Sequence, residues 1–148
     1  MNNYTREQLL VLAKLTTEDL EEIEQRRRDH NRLGFAYQLA FIRVYNRFPI
    51  QRPSFEIDHE LLIFVGLQLD ISAGEIEHYH TRQPTLSRHQ EELRLYLGLR
   101  RFDEETQAEL EQFLFEEACR LEQMNALLAR AGEFLREQGI LQPAEDTL

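Results

Sequence analysis

Thr17-Glu-Asp-Leu-Glu-Glu-Ile-Glu-Gln-Arg-Arg-Arg-Asp-His-Asn-Arg-Leu-Gly-Phe-Ala-Tyr-Gln-Leu39 decides how this chain is read. Its first half opens with acid at Glu18 and Asp19, carries Leu20 and Ile23 at helical spacing, and runs into Arg26, Arg27 and Arg28. Acid at the start and base at the end both suit a helix dipole, and Thr16 or Thr17 supplies the N-cap. After a polar break, a second amphipathic run extends from about Asn31 to Arg47. Leu33, Phe35, Ala36, Leu39, Ala40, Ile42 and Val44 form its apolar side. Two helices joined by a basic, polar corner predict a helix-turn-helix-like unit.

Outward from that stretch, helical periodicity dominates and strand alternation is scarce. Thr5 caps a first helix with Glu7 and Gln8 in its opening turn. Phe48-Pro-Ile-Gln-Arg-Pro-Ser54 breaks the pattern, since neither proline continues a helix. Asp58 then opens a helix through Leu69, and Ser72 caps a short one ending near His80. Pro84 fixes the start of a helix over about 85–97 that buries Leu86, Leu93 and Leu97 and stops at Gly98. Asp103 caps a long helix to about Leu121, and a last one runs from about Glu122 to Gln138, before Gly139. The expected fold is all-α. Two small helical units, 1–50 and 51–102, precede an acidic helical pair, 103–148, packed on the second.

The composition bounds the possibilities. A chain of 148 residues buries a core without staples. Its lone Cys119 has no internal disulfide partner and reads as a small core residue beside Phe115, Ala118 and Leu121. No apolar run approaches a membrane span, and the opening residues lack a signal-peptide layout, so a cytoplasmic location is expected. The net charge of −10 argues against a uniformly basic nucleic-acid binder. Its distribution changes that picture. Residues 1–50 hold eight Lys/Arg against seven Asp/Glu, 51–102 six against eight, and 103–148 three against twelve. Nearly all the excess acid lies in the last third.

Two basic constellations stand out. The first is Arg26, Arg27, Arg28, His30, Asn31 and Arg32. Arginine clamps phosphate and reads guanine, asparagine reads adenine, and a helix N-terminus points amides at phosphate. Asn31 serves equally as a helix N-cap, and an isolated arginine run is ordinarily a solvated helix end. The second, around Pro84, is Arg82, Thr85, Ser87, Arg88 and His89. Arg100 and Arg101 suit pairing with the acidic helix after Asp103 at least as well as a DNA contact. No metal site is expected, because His78 and His80 diverge on a helix. No phosphate loop or nucleophile motif occurs, so no cofactor and no autonomous enzyme are expected.

The pieces Thr17-Glu-Asp-Leu20, Arg26-Arg-Arg28, Asn31-Arg-Leu-Gly-Phe-Ala36 and Gln38-Leu39 resemble the N-terminal region of Tn3-family replicative transposases. The resemblance continues in order through Phe64-Val-Gly-Leu-Gln-Leu69, Tyr79, Arg82, His89, Leu97-Gly-Leu-Arg100, Phe102, Ile140-Leu141, Pro143 and Thr147-Leu148. It implies a helical DNA-binding module for terminal inverted repeats. It also implies that an Asp-Asp-Glu nuclease domain, absent here, belongs to the parent protein. The partners expected are double-stranded transposon ends, other transposase domains and, in the full-length protein, a second copy. Each basic constellation would read a separate part of one DNA end, with Thr85 and Ser87 fixing register on the backbone. A different class of function, a protein-interaction or regulatory module without DNA contact, is suggested by the acidic last third and its Leu/Phe faces.

Overall fold

The computed structural model describes residues 5–118 and 124–143. Among them the chain forms α1 (Arg6–Ala13), α2 (Thr17–Glu24), α3 (Asp29–Tyr45), α4 (His59–Leu69), a 3-10 turn (Ala73–Glu75), α5 (Ile76–Tyr79), α6 (Gln83–Leu97), α7 (Glu104–Ala118) and α8 (Met124–Glu137). The fold of the described residues is all-α, with one isolated bridge between Arg100 and Ile140. Cys119, the expected helix start at Glu122, and Thr147-Leu148 lie outside the described residues.

Local chemistry sets the boundaries. Thr5 with Gln8, and Thr16 with Asp19, close reciprocal capping boxes on α1 and α2. Asp58 caps α4 through the Leu61 amide, and Asp103 accepts from the Thr106 amide at the start of α7. Gly98 and Gly139, at φ 65° and 67°, follow α6 and α8 where a left-handed residue ends the helix.

The chain divides into two compact units, Met1–Leu93 and Arg94–Leu148, with the border inside α6. This differs from a first border after residue 50. The proline linker is instead built into the first unit. The Tyr37 hydroxyl donates to the Glu56 carbonyl at 2.8 Å and accepts from the Asp58 amide at 2.9 Å. Arg47 grips the Glu56 carboxylate with both terminal nitrogens, at 2.7 and 3.0 Å. The Tyr37 bonds fasten the residues just after the linker to α3, and Ile50 within the linker donates to the Glu56 carboxylate and accepts from the Glu56 amide.

The first unit is organised around α3, which packs against α1, α2, α4, the 3-10 turn and α5. Leu33, Phe35, Ala36, Tyr37, Leu39, Ala40 and Phe41 are fully buried. Gly34 is there for a packing reason: a Cβ on it would lie 2.2 Å from the Tyr79 ring. The glycine is what lets α5 sit directly on α3. Leu20, expected on the inward face of α2, is 37% exposed. Its place is taken by Asp19, which is fully buried and held bidentately by Arg43 at 2.5 and 2.8 Å. One carboxylate therefore caps α2 and ties it to α3.

In the second unit α7 packs on α8, with the Phe113 and Phe134 rings stacked at 4.4 Å. Arg100 pairs with Glu109 of α7, and its backbone bonds Gly139 and Leu141. The pairing of Arg100 with the acidic helix is thus realised. Counted by unit, residues 1–93 hold eleven Lys/Arg and fifteen Asp/Glu, and residues 94–148 six and twelve.

Candidate nucleic-acid interface

The α2–α3 corner is built by an unusual backbone. Arg28 sits at φ 73° and ψ 145°, a conformation that side-chain-bearing residues adopt at a cost of about 1–3 kcal/mol. It turns the chain so that α3 begins at Asp29, two residues earlier than its expected start. Asn31 therefore lies in the first turn and is not the N-cap. No side chain caps this helix. Its first amides, those of Asp29, His30 and Asn31, stand at the positive end of the longest helix among the described residues.

The α5–α6 corner comes to the same place. The His30 ring meets the His78 ring edge-on, with centroids 6.1 Å apart. Burial lowers the His30 pKa from its ordinary value, and Arg28, His78 and Arg82 lower it further against the opposing pull of Glu75. Arg28 and Arg82, far apart in sequence, thus act on one imidazole. Arg27, Arg28, Arg82 and Arg88 are exposed, while Asn31, Arg32 and Thr85 are partly exposed. Arg32 reaches Asp29 only at 3.5 Å, and its Nε is buried with no hydrogen-bond partner among the described residues. Ser87 is exposed but lies roughly 200° around α6 from Thr85, so these two do not share a face.

Two expected contact residues are turned inward instead. The Arg26 side chain is 9% exposed and lies 3.6 Å over the Phe35 ring. Its guanidinium bonds Glu22 and Glu92, so its donors are consumed within the fold. His89 is 1% exposed and lies edge-on to Phe35. Its Nδ1 shares a 2.8 Å hydrogen bond with the Tyr79 hydroxyl, which accepts from Gln38 Nε2 at 2.7 Å. Gln90 closes the chain by donating to the Gln38 carbonyl at 2.9 Å. Burial is the main reason that the His89 pKa falls to about 4. Arg26 and His89 are parts of a clasp joining α2, α3, α5 and α6; they are not surface donors.

In the sequence His78 carries no signal beyond its spacing from His80, which argues against a shared metal. The divergence inferred for that pair holds: His78 faces His30, and His80 stacks on Phe55 at 5.4 Å. Among the described residues no three His, Cys, Asp or Glu side chains converge as a metal site. Nor is any described helix long and apolar enough to cross a membrane.

Residues 1–148 match the family model described as "Domain of unknown function (DUF4158)". The chain is 32% identical over 130 residues to the transposase for transposon Tn1546 of Enterococcus faecium, covering 88% of this chain and 13% of that protein. It is 31% identical over 140 residues to the transposase for transposon Tn501 of Pseudomonas aeruginosa, covering 95% and 14%. The transposase for transposon Tn3926 of Escherichia coli is 32% identical over 131 residues, with 88% and 13% covered. The chain thus spans about an eighth of the length of these relatives. By its whole-length match this chain belongs to the DUF4158 family, and it corresponds to a short segment of Tn3-family transposases.

Proposed function

We propose that residues 1–93 form a double-stranded DNA-binding module of a transposase, recognising the element's terminal inverted repeats. One observation carries this reading: the His30 ring at an uncapped helix N-terminus meets the His78 ring from the other corner, and Arg28 and Arg82 from the two corners both act on His30. Arg27, Arg28, Arg32, Arg82 and Arg88 would hold phosphates or guanine edges. Asn31 would read a base edge and Thr85 would fix register. The two constellations then act as one face and not as two reading heads. Catalysis would belong to other parts of the parent transposase, which would also be this module's protein partners.

Salt titration of duplex binding tests the reading. Five arginine–phosphate contacts give a log–log slope of about −4.5, since each contact releases counterions. Absence of binding at low salt would remove the reading. In that case the interaction-module reading would gain, because the second unit exposes Phe115 and Leu128 by 72% and 55%.

A further inference from the structure

The sequence offers no use for His78, and DNA binding through arginines does not call for a pair of touching imidazoles. We infer that His30 and His78, together with Arg28 and Arg82, form a proton-linked seat for one phosphodiester of the DNA backbone, taking up a proton from solvent as the phosphate arrives. The inference rests on the DNA-binding reading and names the chemistry of its contact.

The argument starts from the groups facing His30. Arg28 comes from the α2–α3 corner, Arg82 from the α5–α6 corner and His78 from α5; Glu75, from the 3-10 turn, is the single acid among them. Asp29, next along α3, lies within 3.5 Å of Arg32. With two guanidiniums near, a proton on His30 meets like charge, so its imidazole is biased towards the neutral form in the absence of an anion. A phosphodiester carries a full negative charge near neutral pH. Placed against the Asp29–Asn31 amides it reverses that balance, because it favours the imidazolium that the arginines disfavour. The same proton then adds a donor to the phosphate oxygens. By linkage, an anion that raises a group's proton affinity binds more tightly when the group is protonated. Affinity therefore rises as pH falls through the histidine range. Arginines alone would give no such dependence, since they stay charged throughout.

The test uses the whole chain and a fluorescent mixed-sequence duplex at low, fixed ionic strength, because a backbone contact needs no particular sequence. Wild type is expected to bind about five-fold more tightly at about pH 6 than at about pH 7.5, within the tenfold-per-unit limit for one linked proton. Isothermal titration in two buffers of different ionisation enthalpy should show proton uptake on binding. His30→Gln and His78→Gln should each flatten the pH dependence; His78 is exposed, so its replacement leaves the core untouched. His59→Gln, at an exposed position at the start of α4, should keep it. Binding with the same affinity at both pH values overturns the inference and leaves the DNA-binding reading standing. A pH dependence that survives in both His30→Gln and His78→Gln overturns it equally. No binding at either pH removes both.

Discussion

Arg26 and Arg27 are neighbours in the chain and opposites in the fold. Arg26 belongs to an inward clasp, in which Phe35, Tyr79, His89 and Gln38 meet under α2, α5 and α6. Arg27 belongs to an exposed corner that continues through Arg28 to the first turn of α3. The clasp satisfies its polar groups internally and has few left to offer. The corner does the reverse. It leaves helix amides uncapped, puts Arg28 in a costly backbone conformation and leaves Arg32 Nε without a partner. Strain and unsatisfied donors persist where the rest of the fold holds them in place, and such places are often binding sites. The clasp brings the corners together, and the corners carry the proposed contact.

The comparison can be broken most forcefully from the buried side. Asp19→Ala removes the bidentate carboxylate that Arg43 holds and opens the α2 cap together. We expect a loss of about 3–5 kcal/mol in denaturant unfolding, the range for breaking a buried pair. Next is acid. His89 titrates near its ordinary value of 6.5 when unfolded and at about 4 when folded. The unfolded chain therefore takes up the proton first as pH falls. Stability present above about pH 6.5 is lost progressively towards pH 4, by up to about 3 kcal/mol. Melting curves across that window should show this loss, and His89→Gln should flatten it.

A smaller effect separates the two arginines directly. Arg26→Ala should lower stability by about 2 kcal/mol, chiefly through packing lost over Phe35, whereas Arg27→Ala should change it by less than about 0.5 kcal/mol. Their DNA affinities should split the other way, with Arg27→Ala weakening binding at an unchanged melting temperature. Equal behaviour of the two variants in both assays would erase the distinction. The finest test is Arg28→Gly. Glycine relieves the backbone at φ 73°, so stability should rise by up to about 1 kcal/mol while DNA affinity falls. A variant that loses both would mean that Arg28 is structural.

Much of this architecture was legible in the sequence. The caps at Thr5, Thr16, Asp58, Ser72 and Asp103 and the glycine stops at 98 and 139 follow from local chemistry, which a sequence displays directly. The apolar residues of α3 pointed to its burial, which in fact takes in every residue from Leu33 to Ile42, Tyr37 and Gln38 included. What escaped was set by long-range contacts. Nothing near Arg26 in sequence announces Glu92 or the Phe35 face, and nothing near His89 announces Tyr79. Both were read as donors by their type. The proline linker looked like a border because prolines break helices, yet Tyr37 and Arg47 draw it into the unit. The Asn-Arg-Leu-Gly-Phe-Ala block is another case: its Gly34 and Phe35 build the clasp, while Asn31 and Arg32 lie at the corner.

The central claim is that both corners serve a single DNA face. Selection of bound duplexes from a random pool, followed by sequencing, tests it most directly. The account predicts one contiguous enriched block, lost together in Arg28→Gly and Arg82→Ala. Two separated blocks, each lost in only one variant, would contradict it and restore two independent reading heads.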